Sequence, residues 1–161
     1  MIGRRALWIA GPPLAAALAF ATPGAAAAAV IDTASASGGG DYWSDVDIHA
    51  QTGPDGRGLA GRITFHFGIL HFSEPVRCLR VTGPDRGDGT ASAPTTAILY
   101  AGPSRTAATD VAIELVDNGG SGADEMNLEP VASIPPRCTA PASFLLNSTL
   151  THGRAVVFDA P

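Results

Sequence analysis

Between Leu59 and Phe67 the chain alternates without a break. Leu59, Gly61, Ile63, Phe65 and Phe67 fall on one side, and Ala60, Arg62, Thr64 and His66 on the other. Side chains of an extended strand point to opposite faces in turn, so this segment has one dry and one wet face and the wrong period for a helix. The run before it behaves alike: Val46, Ile48 and Ala50 alternate with Asp45, Asp47, His49 and Gln51. Between the two, Thr52–Gly58 concentrates turn residues, and Pro54-Asp55-Gly56 suits a tight reversal. The pair predicts a β-hairpin.

The rest of the chain follows the same grammar. Ile69–Ser73 predicts a strand ended by Glu74-Pro75. In Val76–Thr82, Val76 and Cys78 occupy one face and Leu79 and Val81 the other, which predicts a covered strand or a bulge. After the polar loop Gly83–Pro94 come strands at Thr95–Tyr100 and Asp110–Asp117, weaker ones at Met126–Ala132 and Phe144–Thr151, and a terminal strand at Ala155–Phe158. About eight short strands separated by Gly, Pro and Asp clusters predict an all-β domain, a small antiparallel β-barrel or a β-sandwich. The barrel is favoured, because closure removes edges that invite aggregation.

Residues 1–29 read as an export signal. Arg4 and Arg5 precede the apolar stretch Ala6–Phe20, and A-x-A patterns follow at Ala19-Phe20-Ala21 and within Ala25–Ala29. Gly11-Pro12-Pro13 interrupts the stretch, which disfavours a spanning helix of about 20 apolar residues. The expected product is secreted and extracellular, with no stable membrane insertion after cleavage. Residues 30–40, small and polar, predict a flexible lead-in, and 41–161 a single domain. In an oxidising compartment the only two cysteines, Cys78 and Cys138, predict one disulfide. Closing that loop stabilises the fold by roughly 4 kcal/mol on the chain-entropy model.

Composition removes several activities. Its ten basic residues are all Arg, against 15 Asp plus Glu and a net charge of −5, which disfavours nucleic acid as a partner. Without lysine there is no Schiff-base amine and no phosphate-loop lysine. The loop Asp117–Glu125 holds carboxylates and glycines that could wrap Ca²⁺, with Asp117 and Asp124 as weak candidates. Its spacing is not that of an EF-hand, and a strand-to-strand turn built on Asp, Asn and Gly is the favoured reading. Gly119-Gly120-Ser121-Gly122-Ala123 lacks the last glycine of a nucleophile elbow. His49, His66, His71 and His152 show no tight ligand spacing, although His49 and His66 fall on the wet faces of the predicted hairpin. The pairs Asp124/Glu125 and Glu114/Glu129 are generic carboxylates. Tyr42-Trp43 belongs either on a ligand face or over one end of the core. Asn147-Ser148-Thr149 fits a glycosylation acceptor only by chance in a bacterial signal context.

Val76-Arg77-Cys78-Leu79-Arg80-Val81, the later Val116-Asp117-Asn118-Gly119-Gly120-Ser121-Gly122-Ala123-Asp124 and the closing Leu150–Val157 resemble an uncharacterised family of small secreted β proteins of high-GC bacteria, with a V-x-C-L-x-V strand and a V-D-N-G-x-G turn. The resemblance implies a secreted β domain with a disulfide. It implies no activity and no catalytic residue, and the chain departs from it at Gly120 and in the Gly83–Pro94 loop. The expectation is therefore a non-enzymatic protein without a cofactor that binds a small molecule or an envelope component. The alternative is a small secreted hydrolase using Asp117, Asp124 and His152.

Overall fold

The computed structural model describes residues 32–52, 58–83, 94–103, 108–119 and 122–159. The export signal, Pro54-Asp55-Gly56, Ser121 and nearly all of the Gly83–Pro94 loop lie outside the described residues. Eight strands follow one another: β1 Thr33–Gly40, β2 Asp45–Gln51, β3 Ala60–Phe67, β4 Leu70–Thr82, β5 Thr95–Ala101, β6 Asp110–Asp117, β7 Glu125–Val131 and β8 Leu146–Phe158. Each pairs antiparallel with the next, and β8 pairs with β1, so the sheet closes into a barrel. At eight strands the interior is just wide enough for side chains to fill it. Ile48, Ile63, Leu99, Ile113, Leu115, Met126 and Val157 do so, all less than 2% exposed.

The expected hairpin forms from β2 and β3, with Ile48 opposite Ile63 and Val46 opposite Phe65. Two pairs of expected strands are each one strand. Ile69–Ser73 and Val76–Thr82 join as β4, which begins at Leu70. It continues through Glu74-Pro75, where the first strand was expected to end, because both residues still pair with β3. Against β5 the register shifts between Val76 and Cys78. That bulge separates the two residues expected on one face: Val76 enters the barrel core, while Cys78 lies in a second cluster outside it. Phe144–Thr151 and Ala155–Phe158 likewise merge into β8. The expected lead-in 30–40 is corrected from Thr33 onward: this segment is β1, paired on both edges. Its alternation is real, with Ala34 and Ala36 buried, but it is written in small residues. Gly38 and Gly153 face each other where β1 meets β8, at φ +125 and +97. A Cβ on either would strike the opposing backbone, so only glycine fits this crossing.

Outside the barrel, residues 132–145 form a strap with a short 3₁₀ turn at Pro136–Cys138. Ile134, Cys138 and Phe144 cover Ile98, Tyr100 and Ala112 on the outer wall of β5 and β6. The Cys78–Cys138 disulfide, with Cα atoms 5.8 Å apart, staples the strap to β4. The fully buried Tyr100 hydroxyl donates to the Thr139 carbonyl.

The weakest closure is β7 against β8, which pair only from Glu125–Leu128 to Leu146–Thr149. Beyond it, carboxylates replace the missing strand. Asp124 Oδ2 accepts from the Ala155 N–H at 2.8 Å, and Asp117 Oδ2 from the Val157 N–H at 3.1 Å. These donors lie two residues apart on one edge of β8, as a neighbouring strand would meet them.

Two outcomes are expected. Asp124→Ala leaves the Ala155 and Asn118 N–H groups without their acceptor; a urea titration should show a loss of about 3 kcal/mol, and Asp124→Asn, which keeps one oxygen, roughly half of that. Burial pushes the Tyr100 phenol above its ordinary pKa of 10.0, so the fold holds it protonated where the unfolded chain releases the proton. That contribution is whole below pH 10.0 and is lost as pH rises through the folded-state value. The urea midpoint should therefore fall in alkaline solution, and fall less in Tyr100→Phe.

Candidate functional site

Among the described residues, one end of the barrel is apolar. There β1 turns into β2 through Tyr42 and Trp43, β3 into β4 through Gly68-Ile69, and the strap returns to β8 through Leu145. The β3–β4 connection has two residues, and Gly68 takes φ +57, the positive angle a II′ hairpin needs at its first position. This drives Ile69 outward to full exposure at the tip, although the sequence reading placed it in a strand. Leu145 is 68% exposed and Leu70 56%. Of the seven exposed large hydrophobic residues among those described, five stand at this end: Tyr42, Phe67, Ile69, Leu70 and Leu145.

Behind this rim lies a pocket of about 240 Å³. Trp43, 2% exposed, seals the barrel core beneath it and meets Phe65 edge-on at 6.0 Å. Phe65 in turn stacks on Phe72 across the β3–β4 pair at 4.8 Å. Val111, Leu128 and Leu146 line it from β6, β7 and β8. Among the described residues, the polar groups of the lining belong to His71, Thr109 and Trp43, whose buried indole N–H has no hydrogen-bond partner. Trp43 thus packs over the end of the core and also walls a concave site. The sequence carries no warning of this, because the pocket draws on residues from 43 to 146 that only closure of the barrel brings together.

The residues that drew attention in the sequence do not converge. Asp117 Oδ1 accepts from the Gly119 N–H at 2.9 Å, and Asn118 donates to the Ala123 carbonyl, which makes the loop a carboxylate-capped turn. His152 lies over Gly39, on the β1 side of β8, whereas Asp117 and Asp124 grip the opposite edge of that strand. The three hydrolase candidates therefore share no cleft. Glu114 accepts from Asn127 at 2.8 Å on the outer wall, and Glu129 stands opposite Ala112. His49 pairs in register with Arg62, and His66 with Asp45 and His71; the His66 and His71 rings meet at 4.6 Å. Among the described residues no three His, Cys, Asp or Glu side chains are grouped to hold a metal ion. A second concavity, of about 270 Å³, runs over β1 between Asp47 and His49 on one bank and Arg154 on the other. Its charged side chains are exposed, so water already solvates them.

Because both Asp117 and Asp124 hold backbone N–H groups, millimolar Ca²⁺ should leave the thermal midpoint unchanged. A rise with added Ca²⁺ would mean a site in the folded state. Compared with protein-family models, with curated proteins and with solved structures, the chain matches none.

Proposed function

We propose that the chain is an exported, non-enzymatic β-barrel that binds a small apolar ligand at its mouth. The observation that carries this reading is the pocket itself, walled by Trp43, Phe65, Phe72, Leu128 and Leu146 and rimmed by exposed Leu70 and Leu145. Exposed apolar patches are unfavourable in water unless something covers them, and concave ones are the usual seats of small ligands. The interior below Trp43 is filled by side chains, so the ligand is held at the mouth and not swallowed by the barrel. Export is supported by the signal-like first 29 residues and by the disulfide. An envelope component offering an apolar group would be held by the same surface. The hydrolase alternative is disfavoured by the separation of His152 from the two aspartates.

Titration with a neutral apolar dye such as N-phenyl-1-naphthylamine tests the reading. The expected result is saturable one-to-one binding. Leu145→Glu places a charge on an already exposed rim position and should weaken binding about tenfold, or 1.4 kcal/mol, with the melting point preserved. Leu146→Trp should fill the pocket and do the same. Binding indifferent to both substitutions, or no binding at all, would sink the reading.

A further inference from the structure

We propose that His66 and His71 form an open two-imidazole site for a late first-row divalent cation, Cu²⁺ above all, on the outer wall of the β3–β4 hairpin. The site does not depend on what fills the mouth. The two residues pair directly across β3 and β4. Their chain neighbours Phe65 and Phe72 are buried in the core, so both imidazoles stand on the outer face, His71 exposed and His66 half-buried. Only the Phe67–Leu70 pair separates them from the two-residue turn, so the turn that fixes the register also fixes their spacing. The ring centres lie 4.6 Å apart. With metal–nitrogen bonds of about 2.0–2.1 Å, a shared cation sits about 3.2 Å from each centre and sees the rings at roughly 90°. A tetrahedral ion would hold the centres about 5.2 Å apart. Two adjacent positions of a tetragonal ion are what Cu²⁺ and Ni²⁺ offer to nitrogen ligands. Histidine χ2 is a broad torsion, so the ring nitrogens turn toward one point at little cost.

Ligand chemistry narrows the ion further. The chain's two cysteines are bonded to each other, which removes the thiolates that a soft ion such as Cu⁺ seeks. Hard Ca²⁺ and Mg²⁺ take oxygen ligands instead. Asp45 stands opposite His66 on β2, so the pair's neighbour on that side is a carboxylate, which favours a cation. Among the described residues no third His, Cys, Asp or Glu is grouped with the two rings. Water therefore completes the coordination, and the site is open to exchange.

The experiment titrates the full chain with Cu²⁺ and follows its four histidine ring signals by NMR. Paramagnetic Cu²⁺ at substoichiometric levels should broaden His66 and His71 together, before His49 and His152. Calorimetry should show one Cu²⁺ per chain, bound more tightly than Ni²⁺ or Zn²⁺ and without competition from millimolar Ca²⁺. His71→Gln should weaken Cu²⁺ about a hundredfold, the low end of the gain from two ligands engaged at once. His66→Gln should do the same. The double variant should be little worse than either, because each single variant already leaves a lone imidazole. His49→Gln should bind as the parent does. His71 is exposed, so His71→Gln should keep the metal-free melting midpoint, which separates loss of a ligand from loss of the fold. Additive losses in the two single variants, Zn²⁺ bound as tightly as Cu²⁺, or first broadening at His49 or His152 would each overturn the proposal.

Discussion

A cylinder of eight strands is stable only if every strand edge finds hydrogen-bond partners, and β8 is where that demand is hardest to meet. One edge of β8 runs along β1 from Gly40 to Thr33. The other meets β7 over four residue pairs and then runs on alone. Asp124 and Asp117 complete it by accepting from Ala155 and Val157. Charge-assisted hydrogen bonds to backbone N–H groups are about twice as strong as neutral ones, so two carboxylates can stand in for a short stretch of strand. The same residues shape the β6–β7 turn, through Gly119 and Asn118. One loop therefore both reverses the chain and closes the barrel.

This arrangement explains how much the sequence revealed. Strands with large apolar residues on one face, such as β2, β3 and β6, declared themselves by alternation alone. β1 did not, because Thr-Ala-Ser-Ala-Ser-Gly-Gly-Gly has the composition of a linker. Its small residues have a physical reason, since Gly38 must pass Gly153 with no room for a Cβ. Nine expected segments became eight strands, because two pairs merged and an unforeseen strand was added. The bulge in β4 was legible as apolar residues on both faces, but which face each residue took depended on the strap that covers Cys78.

The site was less legible than the fold, and for a different reason. Asp, Ser and His in a glycine-rich loop draw attention because their chemistry is versatile, yet here the carboxylates are occupied by backbone donors. The mouth is assembled from unremarkable residues far apart in the chain: Trp43, Phe67, Leu70, Leu128 and Leu145. Ile69 carries a local signal only in hindsight. A glycine able to take positive φ, followed by one residue, between paired strands makes that residue the tip of a turn, whatever its hydrophobicity.

The disulfide connects these two levels. The strap 132–145 leaves β7 at the apolar end and returns to its neighbour β8 at the same end. Cys78 lies partway along β4, beyond the bulge, and its bond to Cys138 draws the strap down the outer wall. The Tyr100 hydroxyl holds the next residue, Thr139, from β5, and Phe144 packs into the same outer cluster. Only Leu145 returns to the rim. A bond that reads as a staple for a small core thus also fixes where the strap lies, against the outer wall of β5 with Leu145 at the rim.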